Sequence, residues 1–123
     1  LWAVPSRALG GMKKRVGLAR ATVTNPSIAI YDDPSAGLDP VTSSRIFALI
    51  LAMHRKVEGC ASVVVSHDID RMAVIVDRWI VLEHGRIAFT GLRADLVRAL
   101  ASAPEESLLR RFFGPPETFA AHA

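Results

Sequence analysis

The chain is predicted to adopt an α/β fold with a mostly parallel sheet flanked by helices. Two short β-branched runs each end abruptly in polar residues, helical periodicity separates them, and a two-strand pattern with short helices follows. Met12, Val16, Ala19 and Val23 recur at helical spacing, so a first helix is expected over residues 10–24, stopped by Asn25-Pro26. Ser27–Tyr31 is a short apolar run closed by Asp32 and Asp33, the pattern of a strand buried on both faces whose C-terminal end carries polar chemistry. Asp39-Pro40 supplies an N-cap and a first-turn proline for a second helix, with Ile46, Leu49, Ile50, Met53 and Val57 on one side until Gly59.

The pattern then repeats. Ala61–Val65 is a second β-branched run ending in Ser66, His67 and Asp68, and Asp68 can cap a helix carrying Ile69, Met72, Ala73 and Val76. Trp79–Glu83 is expected to pair with Arg86–Thr90 across His84-Gly85 as a hairpin. Leu92, Leu96 and Leu100 mark a further helix, and Ser102 and Glu105 have capping-box spacing ahead of Leu108, Leu109, Phe112 and Phe113. Gly114-Pro115-Pro116 releases residues 114–123 as a loosely ordered tail.

Composition bounds the function. With 50% apolar and 22% charged residues the chain belongs to the globular class. Its longest apolar run, Ile46–Met53, falls well short of the roughly 20 residues that span a bilayer, and no signal-like segment is visible, so a soluble, unexported chain is expected. The single cysteine, Cys60, supports neither a disulfide framework nor a thiolate metal site, and is expected to be a buried structural thiol. A net charge of +3, with only Lys13, Lys14, Arg15 and Arg20 clustered, is a weak nucleic-acid signal. His54, His67, His84 and His122 have no zinc-ligand spacing, and Ser66-His67-Asp68 is no hydrolase triad, because adjacent side chains project in different directions.

Several residues carry chemistry. Gly10 and Gly11 open a helix, where free N–H groups, a positive dipole end and the lack of side chains suit a phosphate, although a plain glycine turn gives the same pattern. Asp32 at a strand end suits Mg²⁺ held through water, and Asp33 suits a base or positioner for attacking water; both also fit a solvated turn. His67 is either a surface imidazole or a hydrogen-bond partner for a terminal phosphate. Asp39 caps its helix whether or not it also meets a neighbouring subunit.

Four of these segments, in this order, resemble the ATP-binding domain of ABC transporters. Gly10-Gly11-Met12-Lys13-Lys14-Arg15-Val16 resembles the signature segment, Ile28–Asp33 the Walker B strand, Pro34–Pro40 the D-loop, and Val65–Asp68 the switch histidine. Glu83 through Gly91 looks like the hairpin that ends such domains, and the likeness covers about residues 5–91. The resemblance implies a partial P-loop NTPase fold, with residues 1–113 as the C-terminal portion of an ABC ATPase domain. It also implies ATP and Mg²⁺ as cofactors in a complete dimer, with Asp33 and His67 catalytic, Asp32 at the metal through water, and Leu9, Gly10, Gly11 and Asp39 at nucleotide. The implied partners are a permease and a second ATPase subunit, with membrane contact only through the permease, no nucleic acid, and a location on the cytoplasmic face of the inner membrane.

The sequence also departs from the family pattern. No G-x-x-x-x-G-K-[ST] loop and no glutamine occur in these residues, so the chain by itself is expected to bind ATP very weakly and to be inactive, as a truncated or late-starting domain. Leu9 and Ala8 stand where the family has serine and leucine, and Leu9 can neither cap the helix nor donate to phosphate. Asp33 replaces the usual glutamate and is shorter by about 1.5 Å, where a 1 Å misplacement costs about 10²-fold in rate. Met12, Lys13–Val16 and Tyr31–Pro40 look most like the ATPases of Mla/Mce-type phospholipid transporters. An inactive remnant that docks a permease or an intact ATPase, and an ABC ATPase outside transport, are the alternative expectations.

Overall fold

The structure is a computed structural model that describes residues 10–120, in two compact units divided after Asp68. The first contains α1 (Gly10–Thr22), β1 (Ile28–Asp32), α2 (Pro40–Lys56) and β2 (Ala61–Val65). β1 and β2 pair in parallel, from Ile28 opposite Ala61 to Asp32 opposite Val65. The crossover between them is α2, the connection that parallel strands require.

Capping explains where α2 starts. The Asp39 carboxylate accepts from the N–H groups of Val41 and Thr42, both at 3.0 Å, and Pro40 occupies the first turn, where no N–H is needed. Ile46, Phe47 and Ile50 are buried along one side of the helix, each side chain contributing roughly 1.5–3 kcal/mol by leaving water. Near its other end His54 meets the Ser62 hydroxyl at 3.0 Å, and Ser62 lies beside buried Ala29 in the sheet register, so α2 covers that face.

Three expectations are corrected here. The apolar positions Met12, Val16 and Val23 of α1 are exposed; the side that meets α2 runs through Gly11, Lys14, Leu18 and Thr22, with only Leu18 buried. The packed stripe is thus rotated by one residue, about 100° around the axis, because Thr22 reaches Met53 and Gly11 lies against Thr42. Likewise β1 is buried on one face only: Ala29 and Tyr31 are covered, while Ile28, Ile30, Val63 and Val65 form an exposed apolar face among the described residues. Cys60 is half-buried rather than buried, and its charge adds to burial as the second cause raising the Tyr31 hydroxyl above its ordinary value.

The second unit contains α3 (Ile69–Ile75), β3 (Arg78–Glu83), β4 (Arg86–Leu92), α4 (Arg93–Ser102), α5 (Leu108–Phe113) and α6 (Pro116–Ala120). β3 and β4 form the expected antiparallel hairpin, turned by His84 and Gly85 at φ 48° and 73°. Positive φ at both turn positions matches the strand twist, which favours glycine there. Leu96 and Leu100 of α4 are fully buried. Trp79, Phe113 and Phe119 pack edge-to-face with centroids 5.3–5.4 Å apart. Arg93 donates to the carbonyls of Ala73 at 2.7 Å and Phe119 at 3.0 Å while lying over the Phe119 ring.

Two further readings change in this unit. Residues 116–120, expected to be part of a loose tail, form α6 and bury Phe119, because the ring completes the aromatic cluster. The cap before Leu108 is Ser107, which accepts from Arg110 N–H, whereas Ser102 ends α4.

Truncating a fully buried side chain should cost about 2–5 kcal/mol. Urea unfolding of Ile46→Ala and of Leu96→Ala is expected to reveal losses in that range, against a change within about 0.5 kcal/mol for Leu82→Ala on the exposed hairpin face.

Candidate functional site

The chemistry-bearing residues of the first unit gather at two places. Asp32 ends β1 opposite Val65, and the sheet continues for one more bond, from Asp33 N–H to the Val65 carbonyl at 2.8 Å. His67 follows β2 by two residues, and its Nδ1 lies 3.5 Å from Asp33 Oδ1. Both acids and the imidazole thus share the C-terminal edge of the parallel pair, the edge at which open α/β sheets bind ligands. Asp32 is exposed and Asp33 half-buried, with His67 outermost at 74% side-chain exposure.

Asp33 Oδ1 is inaccessible to solvent and has no hydrogen-bond partner among the described residues, since 3.5 Å to His67 is too long for a charge-assisted bond. An orphaned carboxylate oxygen beside an imidazole suits a site completed by a polar ligand, such as an attacking water or a hydrated cation. With exposed Asp32 next to it, the donor set fits Mg²⁺, which is bound through few carboxylates, water and substrate phosphate. Among the described residues no cluster of three or more His, Cys, Asp or Glu side chains forms a protein-only metal cage.

The second place is a cleft of about 360 Å³ between the start of α1 and the start of α2, lined by Gly11, Met12, Arg15, Leu38, Asp39 and Thr42 among others. A Cβ on Gly11 would stand 2.9 Å from Thr42 Cγ2, so a side chain there would displace the Thr42 methyl at the wall of the cleft. The first turn of α1 contains no acid, while Lys13, Lys14 and Arg15 crowd the end where the helix dipole disfavours cations. An anion in the cleft would offset that repulsion.

Of the predicted residues, the structure brings Asp32, Asp33 and His67 together at the strand edge, and Gly11 and Asp39 together in the cleft, with Gly10 opening α1. Leu9 lies outside the described residues. Arg15 and Thr42 line the cleft, and Lys14 Nζ donates to the Asp33 carbonyl at 3.1 Å. The sequence reading treated the four cations of this helix, Lys13, Lys14, Arg15 and Arg20, as one charge cluster; positions one turn inside the paired-glycine start were the signal for separating Lys14 and Arg15.

The Thr42 hydroxyl, with the N–H groups of Thr42 and Val41, holds the Asp39 carboxyl below the ordinary carboxylate value. A depressed carboxylate stabilises the fold above its unfolded pKa, and the effect is lost as pH falls through the folded value. The stability difference between wild type and Asp39→Ala should therefore be present at neutral pH and shrink below about pH 4, as followed by thermal melts. A difference that grew on acidification would contradict this account.

Known proteins share both sequence and fold with these residues. The methionine import ATP-binding protein MetN of Leifsonia xyli is 39% identical over 113 residues, covering 92% of this chain and 32% of that protein. The MetN protein of Thermobifida fusca is 32% identical over 114 residues, covering 93% and 34%. The chain spans about a third of the length of the curated relatives it matches. A nucleotide-free ATP-binding cassette from an ABC transporter superposes with a TM-score of 0.70 at 27% identity, over 84% of this chain and 40% of that one. A dimeric cassette in a post-hydrolysis state bound to ADP and Pi gives 0.62 at 33% identity, over 72% and 37%. No family model matches the chain. Sequence and fold together place these residues in the ATP-binding domain of ABC transporters, as a segment with a partial P-loop NTPase fold.

Proposed function

We propose that this chain is part of an ATPase subunit that couples ATP hydrolysis to solute transport through a membrane permease. The observation that carries the reading is the meeting of Asp33 and His67 at the strand edge, with one carboxylate oxygen buried and unbonded. In this reading Asp33 orients the attacking water and accepts its proton, and His67 donates a hydrogen bond to the terminal phosphate. Asp32 is the residue that would hold Mg²⁺ through water, and the ion would supply neutralisation of phosphate charge. The Gly11–Arg15 cleft accepts the phosphates of a nucleotide bound by a second ATPase subunit, through the free N–H groups at the start of α1.

No helix among the described residues is long and apolar enough to cross a membrane; the attachment proposed is to a permease at the cytoplasmic face of the inner membrane. For the cargo, the relatives named above are methionine importers, and they favour a methionine-type amino acid. The phospholipid reading rests on the Met12–Val16 and Tyr31–Pro40 segments alone, and neither relative supports it.

The test is Mg²⁺-dependent ATP turnover by the protein expressed from the whole reading frame encoding this segment. Asp33→Asn and His67→Ala should each lower kcat by about 10²–10⁴-fold, and Asp33→Glu, which restores the longer reach, should raise it. Absent turnover in the wild-type protein would remove the ATPase reading in favour of a non-catalytic docking module.

A further inference from the structure

Three hydrogen bonds converge on the backbone of Asp33. Its N–H donates to the Val65 carbonyl at 2.8 Å, while its own carbonyl accepts from Ala36 N–H and from Lys14 Nζ, both at 3.1 Å. The residue sits at φ 42°, in the left-handed region that side-chain-bearing residues seldom enter. Such a conformation persists where the surroundings over-determine it, and it collects at functional sites. The Asp33 Oδ1 atom has no hydrogen bond among the described residues, so what aims this part of the carboxylate is its backbone.

Two of the three bonds come from the strand partner and from the loop itself. The third comes from a different element, one turn inside the helix that begins with the paired glycines. Lys14 is half-buried and lies at helical spacing between Gly11 and Leu18, on the side of α1 that meets α2. A lysine used only for solubility would extend into water, whereas this ammonium is directed at a carbonyl nineteen residues away in sequence.

We propose that Lys14 is a positioning residue for the carboxylate of Asp33. Its ammonium pins the Asp33 carbonyl, keeps the acid in its left-handed conformation beside His67, and ties the acid's position to that of the phosphate-facing start of α1. Movement of α1 on engaging an anion is then transmitted to the acid through a single hydrogen bond. The inference rests on the reading of Asp33 as the residue that orients water.

The experiment pairs a readout of the tie with a readout of catalysis, on the protein expressed from its whole reading frame. Amide hydrogen exchange without nucleotide is followed at Asp33 and Ala36, and ATP turnover is measured across ATP concentrations. Lys14→Met removes the donor and keeps the stem, Lys14→Gln shortens the reach, and Lys14→Arg preserves a cationic donor. Both Met and Gln variants should speed exchange at the two amides about fivefold or more. They should also lower kcat about tenfold, with the KM for ATP within about twofold, and Lys14→Arg should restore most of both. Unchanged exchange in folded Lys14→Met and Lys14→Gln overturns the proposal, and so does faster exchange with unaltered kcat. If the wild-type protein hydrolyses no ATP while the variants still exchange faster, the tie between Lys14 and Asp33 is upheld and the ATPase reading falls.

Discussion

The parallel register of β1 and β2 is the constraint on which the candidate site depends. Because Asp32 stands opposite Val65 and Asp33 N–H reaches the Val65 carbonyl, the residues that leave both strands emerge at one edge. A shift of one residue would exchange the two faces of β1 and carry Tyr31 and Ala29 out of the core. It would also separate Asp33 from His67, although neither is a core residue. Burial on one side of the sheet thus sets the geometry of polar groups at its end.

A second constraint acts through helix starts. α1 and α2 begin beside the same cleft, one with glycines and an excess of cations, the other with a capping carboxylate. Asp39 serves the fold through its bonds to Val41 and Thr42, and it also lines the cleft. Capping and cleft lining therefore share a side chain, and under the proposed function a substitution there alters stability and nucleotide binding together. Gly11 is under a comparable double demand, since a side chain there would have to displace the Thr42 methyl while the bare backbone at the helix start suits an anion.

The second unit is organised by different physics. Its hairpin buries Trp79 and Val81 on one side, and the rings of Phe113 and Phe119 close around Trp79. Arg93 holds α6 by donating to the Phe119 carbonyl while stacking on that residue's ring. This is why residues 116–120 are helical despite a Gly-Pro-Pro sequence that reads as the release of a tail: one aromatic side chain, fully buried, offsets the ordering of the short segment that carries it.

Much of this was legible in the order of residues. The strand–helix alternation, the Asp39-Pro40 helix start, the His84-Gly85 turn and the polar ends of both β-runs are local patterns, and local backbone preferences act over a few residues. What the sequence by itself determined was which segments up to Phe113 are helix or strand and which of them end in acids, glycines or an imidazole. The tertiary structure alone decided that Leu18 rather than Met12 or Val16 is the buried apolar residue of α1, that one face of β1 is open, and that Lys14 reaches the carbonyl of Asp33. Those outcomes depend on which side of a helix or strand finds a neighbour, and the choice is made by packing between segments far apart in the chain, where periodicity carries no information.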